Sequence, residues 1–222
     1  MRKVVYSVGV SLDGYIADQG GGVEWLERAT SKAKGEDFGM TKFFKSIDTV
    51  LMGRKTYEIA LKMGMAKGGY PGMKNYIFSR SLPPGERSGV EFVSPDITEF
   101  VTKLKQQKGK KIWLCGGGEL AREFLKLGLL DEIGLGIVPW LVGAGIPALP
   151  SGFAETELEL TEVKQFKGGV VALTYSIVAH AKSGRKAASG VGKTSSKVRS
   201  GSGRASRAGK ATKSSTTRAR RS

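Results

Sequence analysis

The chain predicts an α/β fold, a mostly parallel sheet flanked by helices, and three observations carry that reading. Short apolar and β-branched runs alternate with amphipathic stretches, as in folds that place helices on both faces of a sheet. Runs such as Val4–Val10 and Thr49–Met52 lack a polar face, as expected of strands buried on both sides. Near the end, Leu158–Phe166 and Val170–Ala179 are joined across Lys167-Gly168-Gly169, with the length and glycine turn of an antiparallel hairpin.

Taken in order, Val4–Val10 is a β-branched strand, and Leu12-Asp13-Gly14-Tyr15 turns it into a loop that Gly20-Gly21-Gly22 extends to Trp25. Helical character follows and is strongest from Phe38 to Ile47. Thr49–Met52 is the second strand, closed by Gly53. Thr56–Met63 is helical, Asn75–Phe78 is a third strand ending in Ser79-Arg80-Ser81, and Val90–Val93 is a fourth. Ile97, Phe100, Val101 and Leu104 recur at helical spacing, and Asp96 with Glu99 three residues on forms a capping-box-like start. Lys111–Leu114 runs apolar into Cys115-Gly116-Gly117-Gly118, and the next helix sets Leu120, Phe124 and Leu127 on one face. Glu132–Val138 is a further strand, followed by the loop Pro139–Gly152.

Charge divides the chain. Of 36 Lys and Arg, 13 lie in residues 182–222 without one acidic residue; the other 23 face all 20 acidic residues, so residues 1–181 carry only +3 of the formal +16. Residues 1–181 are therefore expected to form the folded domain. Residues 182–222, a Ser, Gly, Ala, Lys, Arg and Thr mixture with only Val191 and Val198 as larger apolar residues, are expected to be a disordered basic tail. One cysteine excludes an internal disulfide, and one histidine, His180, argues against a Cys/His zinc site, so no metal is expected. Cys115 fits a buried strand end better than a nucleophile, having no histidine base nearby in sequence. Neither a signal peptide nor an apolar stretch of spanning length is visible, and a cytoplasmic protein without membrane contact is expected.

Three strand ends carry chemistry. Gly116-Gly117-Gly118, between a strand and the helix opening at Glu119-Leu120, lets backbone amides approach a phosphate at a helix N-terminus. Gly116, Gly118 and Ala121 satisfy G-x-G-x-x-A, but the next strand ends Ile137-Val138-Pro139-Trp140, with no carboxylate for a ribose hydroxyl, so the dinucleotide fingerprint is incomplete. The alternative is a tight turn with close helix–strand packing. Gly53-Arg54-Lys55-Thr56 sets a flexible backbone, a guanidinium and a hydroxyl at one helix start, although Thr56 also reads as a helix cap and Arg54 as a solvated residue. Ser79-Arg80-Ser81 suits a ribose 2′-phosphate, favouring NADPH over NADH, and is equally compatible with a polar loop.

Asp13 and Asp37 are the carboxylates expected to face a substrate; the structural alternatives are an Asp-Gly turn for the first and a helix cap for the second. Gly190-Val191-Gly192-Lys193-Thr194 imitates the end of a phosphate-binding loop, but Ala187 replaces the first glycine and no strand precedes it.

Ser11-Leu12-Asp13-Gly14-Tyr15-Ile16-Ala17, Met52-Gly53-Arg54-Lys55-Thr56-Tyr57-Glu58 and the triple glycine together resemble the dihydrofolate-reductase-like superfamily. Leu130-Asp131-Glu132-Ile133 and Val138–Gly145 narrow the resemblance to the reductase (C-terminal) domain of the bacterial bifunctional riboflavin-biosynthesis deaminase-reductase, across roughly residues 2–178. The resemblance implies a dihydrofolate-reductase-like sheet, NADPH as hydride donor, and often a homodimer. It places Gly53, Arg54, Lys55 and Thr56 on the cofactor's phosphates, Ser79 and Arg80 near the adenosine 2′-phosphate, and Gly116, Gly117, Gly118, Glu119 and Leu120 around the pyrophosphate. Ser11 and Asp13 fall in the loop between nicotinamide and substrate. Asp37 falls in the first-helix region where true dihydrofolate reductases keep a pterin-binding carboxylate, though its spacing from Trp25 differs. No deaminase activity is expected of these residues, because one Cys and one His cannot build that domain's zinc site.

The expected function is an NADPH-dependent reductase resembling the riboflavin-biosynthesis 5-amino-6-(5-phosphoribosylamino)uracil reductase domain, acting on a small heterocyclic or sugar-derived substrate. The alternative is a nucleic-acid-associated protein whose reductase-like domain is a nucleotide sensor or dimerisation unit, residues 182–222 binding DNA or RNA without sequence preference.

Overall fold

A computed structural model of the chain describes residues 1–65, 68–93 and 96–178; His180 and the basic segment 182–222 lie outside the described residues. The chain runs β1 (Val4–Ser11), β2 (Tyr15–Asp18), α1 (Glu24–Ser31), α2 (Met40–Lys45), β3 (Ile47–Gly53), α3 (Arg54–Lys62), β4 (Lys74–Phe78), β5 (Gly85–Arg87) and β6 (Val90–Val93). It continues with α4 (Ile97–Gln106), β7 (Lys111–Gly116), α5 (Gly118–Lys126), β8 (Glu132–Val138), β9 (Gly145–Pro147), β10 (Leu158–Gln165) and β11 (Val171–Ile177). One sheet takes the order β10-β11-β8-β1-β7-β3-β4-β6-β5, and β2 pairs separately with β9. The strands from β8 to β6 are parallel; β11 and β10 add the predicted antiparallel hairpin at one edge, and β5 closes the other antiparallel to β6.

Strand alternation sends successive side chains to opposite faces. One face gathers Val4, Tyr6, Leu51, Ile112, Leu114 and Ile133 under Val101 and Leu104 of α4 and Ala121 and Phe124 of α5. The other gathers Val50, Met52, Ile77 and Trp113 beneath Phe43 and Phe44 of α2 and Tyr57 of α3, while Trp25 and Ala29 of α1 pack on Val138. Gly9 lets α1 close on β1: a Cβ there would meet Leu26 Cδ2 at 3.2 Å.

Several elements differ from the sequence reading. The loop after β1 and the loop Pro139–Gly152 each contain a short strand, β2 and β9, which pair with one another. The stretch Phe38–Ile47 is a six-residue helix that stops before Ile47, and a separate helix, α1, precedes it from Glu24. β5, polar and three residues long, has no apolar pattern to reveal it. Asp96 does cap α4 by accepting from the Glu99 amide at 3.0 Å, but the Glu99 carboxylate turns to Lys103, so only half of the capping box forms. Leu127 lies beyond the end of α5 and is exposed, leaving Phe124 as that helix's central anchor.

The amino-terminal edge of the sheet is tied by ion pairs. Arg2 is buried, bonds Thr49 Oγ1 at 2.8 Å and the Lys110 carbonyl at 2.6 Å, and pairs with Asp48. Burial alone would push the Asp48 carboxyl up, but the Lys110 amide, the Thr49 hydroxyl and the Arg2 charge together hold it below its ordinary value. Lys3 and Lys111 do the same for the buried Glu132 across β1 and β7.

Phe124 is fully buried and meets the Phe78 ring edge-on at 6.0 Å between centroids. Phe124→Ala is expected to cost about 3–5 kcal/mol, from lost burial and the cavity left beneath α5. Urea unfolding would measure it as a lower midpoint at unchanged slope.

Candidate active site

All parallel strands deliver their carboxyl ends to one edge. Ser11 is in register with Val138, Met52 with Gly116, and Gly53 with Phe78, so the ends of β1, β8, β7, β3 and β4 are level. This is where open parallel sheets present ligand crevices. It brings the three chemistry-bearing strand ends of the sequence together.

Two helices begin there without side-chain caps. Gly53 and Gly117 are the extended residues preceding α3 and α5, and neither helix start carries a side-chain cap bond. Thr56 is therefore not a helix cap: it is the third residue of α3, and its hydroxyl faces the glycines, 3.4 Å from a Cβ built on Gly117 and 3.6 Å from one on Gly116. A Cβ on Gly53 would meet nothing closer than the Gly116 carbonyl at 3.9 Å. The Gly116–Gly117 peptide is cis, and Gly116 has φ 141°, open to glycine alone. Uncapped amides of two helix starts, with their dipoles and the Arg54 and Lys55 cations, form a donor set suited to a pyrophosphate.

The glycines do not play one role. Gly118 is buried, and a Cβ there would collide with the Pro147 carbonyl oxygen and sit 3.1 Å from that of Ala148. Its place is the contact between α5 and the segment after β9, whereas Gly116 and Gly117 border Thr56. Glu119 is exposed and pairs with Arg122, and Leu120 packs partly into the core beside Phe124. Arg54 is half-exposed and held by Glu58 at 2.5 Å, its guanidinium thus fixed at the start of α3. Ser79 is buried, and its Oγ accepts from the Leu82 amide at 3.0 Å and the Ser81 amide at 3.3 Å, shaping the turn that presents the exposed Arg80.

The two candidate carboxylates lie apart. Asp13 is a clasp at the end of β1: it accepts from the Ser11 hydroxyl at 2.6 Å, from the Val142 amide at 3.1 Å and from the Gly143 amide at 2.7 Å. The Ser11 hydroxyl, then those amides, hold its carboxyl below the usual range, so it is ionised at neutral pH. Asp37 precedes α2 and accepts from the Gly39 amide at 2.8 Å and the Thr41 amide at 3.3 Å, which lower its pKa. Its neighbour Phe38 meets Phe166 edge-on at 5.8 Å, which places Asp37 beside the turn between β10 and β11.

The structure adds residues that spacing alone did not reveal. A cleft of about 390 Å³ between α1 and the end of β8 is lined by Asp18, Glu24, Trp25, Arg28 and Trp140–Val142. Arg28 stacks on the Trp140 ring at 5.7 Å, and the buried Trp25 indole N–H has no partner. Two of the three tryptophans thus flank the carboxyl edge, a signal visible in their placement beside loop glycines. A larger hollow of about 470 Å³ is only the outer face of α4, remote from this edge. Cys115 touches Tyr70 and is partly buried; desolvation pushes its thiol up to about 11, so it carries little thiolate at neutral pH. Among the described residues no cluster of three or more His, Cys, Asp or Glu side chains forms a metal site, and no helix is long and apolar enough to cross a membrane.

Similarity to known proteins runs along the whole described domain. The family model for the RibD C-terminal domain matches residues 2–172. The uncharacterized protein YwjB of Bacillus subtilis (strain 168) is 36% identical over 174 residues, covering 78% of this chain and 97% of the relative. Among solved structures, a putative riboflavin biosynthesis protein from Shewanella sp. PV-4 superimposes with TM-score 0.70 at 23% identity, over 81% of this chain and all of that one. Dihydrofolate reductase from Enterococcus faecalis, complexed with NADP(H), does so with TM-score 0.54 at 16% identity, over 79% of this chain and 96% of that one. These two structural likenesses are of fold, and the fold is dihydrofolate-reductase-like. The family match, which spans more than half of the chain, places it in the RibD C-terminal domain family.

Proposed function

We propose that the chain is an NADPH-dependent reductase that adds hydride to a C=N or C=O carbon of a small heterocyclic or sugar-derived substrate, as a 5-amino-6-(5-phosphoribosylamino)uracil reductase domain does. The observation that carries this reading is the meeting of two uncapped helix starts around Thr56 and the Gly116-Gly117 turn, with Arg54 fixed beside them. Family membership and the NADP(H) bound by a protein of like fold support the choice of cofactor.

In this reading the amides after Gly53 and Gly117, with Arg54, Lys55 and Thr56, hold the phosphates, and Arg80 meets the ribose 2′-phosphate. NADPH, when bound, supplies the hydride; the substrate carbon takes it, and the adjoining nitrogen or oxygen takes a proton. Asp13 and Asp37, both lowered in pKa, carry no proton to give at neutral pH, so solvent at the cleft supplies it. Ser11 and Asp13 instead hold the 140–143 loop over the end of β1, positioning Trp140 against the substrate cleft. The activity is assigned to the cytoplasm.

A second reading rests on the charge partition. The +13 of residues 182–222, without a carboxylate, favours polyanion binding by counterion release. The domain would then be a nucleotide sensor or assembly unit of a nucleic-acid-associated protein.

Titration of tryptophan fluorescence separates the two. NADPH is expected to quench, and NADH to do so weakly. Arg54→Ala is expected to weaken NADPH about 10- to 100-fold, the loss of one charge-assisted contact of about 1.5–3 kcal/mol; equal affinity in the variant would refute the phosphate role. NADPH oxidation screened against ribosylaminopyrimidines, pterins and small aldehydes tests the reaction itself.

For the Asp13 clasp, Asp13→Ala is expected to speed hydrogen exchange at Val142 and Gly143 while exchange in β7 stays slow. Because its folded pKa is lowered, the clasp is fully formed above the unfolded carboxylate value of about 3.9 and is lost as pH falls through the lower folded value. Exchange rates at the two amides should follow that window after correction for intrinsic pH dependence. For the tail, DNA binding by the full chain should fall steeply with salt and vanish on deleting residues 182–222; salt-independent binding would rule out that mode.

A further inference from the structure

We propose that Tyr70 recognises the substrate, its hydroxyl donating a hydrogen bond to a carbonyl oxygen or ring nitrogen of a planar heterocycle bound beside the cradle. This rests on the reductase reading above and adds to it the side chain that meets the ring.

Tyr70 precedes β4, and the buried Asn75 holds it from both sides. Asn75 Oδ1 accepts from the Tyr70 amide at 2.9 Å, and Asn75 Nδ2 donates to the Tyr70 carbonyl at 3.0 Å and to that of Met73 at 2.9 Å. Gly69 permits the close packing, since a Cβ there would stand 2.9 Å from both Asn75 Cγ and Val90 Cγ1. The Tyr70 ring lies edge-on to Trp113 at 4.7 Å between centroids and tilted against Phe44 at 5.9 Å. Backbone and ring are thus both fixed, and together they set where the hydroxyl stands.

That place is the carboxyl end of β7. Among the described residues the hydroxyl has one partner, Cys115 Sγ at 3.5 Å. Cys115 is the residue before Gly116, where the strand turns into the cradle. A thiol is a weak acceptor, so the strong donor of Tyr70 has no strong partner within the chain. A buried donor left in that state costs free energy, which an acceptor on a ligand would restore. Burial, and then the neighbouring Cys115, push the phenol above its ordinary value, so the hydroxyl keeps its proton and serves as donor rather than base.

The walls around it suit a flat ring. Phe43, Phe44, Tyr70 and Cys115 pack on Val50, Met52 and Trp113 yet are only half-buried. Aromatic side chains left partly open beside one another favour a ring that can meet them edge-on or offset. A small aliphatic aldehyde could accept the hydrogen bond but would leave that wall uncovered.

Calorimetric titration of the nuclease-treated full chain with NADP+ present tests this. The probes are 5,6-diaminouracil and 1,2-diaminobenzene, the second a diamine ring without carbonyl or ring-nitrogen acceptors. Wild type is expected to bind 5,6-diaminouracil about tenfold tighter or more. Tyr70→Phe keeps the ring against Trp113 and is expected to weaken 5,6-diaminouracil about 3- to 10-fold, the loss of one neutral hydrogen bond, without changing 1,2-diaminobenzene. A purely structural role would instead lower the urea midpoint and leave the preference between the probes intact. Tyr76→Phe, whose ring packs on the opposite face of the sheet, should bind as wild type does. Should Tyr70→Phe fail to fold, the wild-type preference between the two probes still decides. No wild-type binding of 5,6-diaminouracil, equal affinity for both probes, or undiminished affinity in folded Tyr70→Phe would each overturn the proposal. If NADPH still quenches wild-type tryptophan fluorescence in those cases, the reductase reading stands; if it does not, both fall.

Discussion

Everything at the carboxyl edge depends on how closely four pieces of backbone meet at one turn. β7 ends at Gly116, α3 starts behind Gly53, α5 starts behind Gly117, and the end of β9 with the next residue lays the Pro147 and Ala148 carbonyls against Gly118. Each glycine answers a different demand. Gly116 takes a backbone angle closed to other residues, Gly117 leaves room for the Thr56 hydroxyl, and Gly118 has carbonyl oxygens where a Cβ would stand. The convergence points amides of two helices at one spot, which no single strand–turn–helix unit could do. Tyr6 helps to hold it: fully buried in β1, it donates to the Ala148 carbonyl at 2.7 Å and so ties the same segment to the sheet.

The opposite edge follows the reverse electrostatic rule. There the charges are matched: Arg2 with Asp48, Lys3 and Lys111 with Glu132, and Lys105 with Asp131 at 2.7 Å. The buried Glu132 and the half-buried Asp48 and Asp131 stay charged at that edge because each has cations around it. At the carboxyl edge helix amides stay uncapped, and Arg80 stands exposed on a turn built by Ser79. Compensation at one end and unmet donors at the other give the sheet a polarity that favours an anion at the carboxyl side only.

Local pattern revealed the central architecture because burial on both faces imposes it residue by residue. β1, β3, β4, β7 and β8 each centre on a short apolar run, with their polar residues mostly at the strand ends, and α4 announces itself by Ile97, Phe100, Val101 and Leu104. Apart from the short polar β5, what escaped was decided by partners distant in sequence. β2 and β9 are strands only because Ala17 and Ile146 face each other across more than half of the domain. The glycine run was legible as a turn between strand and helix, but the close approach that Gly118 accommodates comes from Pro147, which no spacing within the run discloses. Asp13 was singled out in the sequence as a candidate, yet its partners Val142 and Gly143 lie some 130 residues further on, so its state as an ionised loop clasp was not legible.

The bulge in β10 shows how a one-residue irregularity decides which side chains share a face. A strand whose exposed face mattered only for solubility would gain from alternating charge, and Glu159, Glu162 and Lys164 do occupy one face. Keeping Leu158, Leu160 and Val163 together on the other face requires an inserted residue, a locally broken ladder and a stronger twist. Exposed apolar side chains receive no stabilisation from burial within the chain, whereas covering each recovers about 25 cal/mol per Å² of area removed from water.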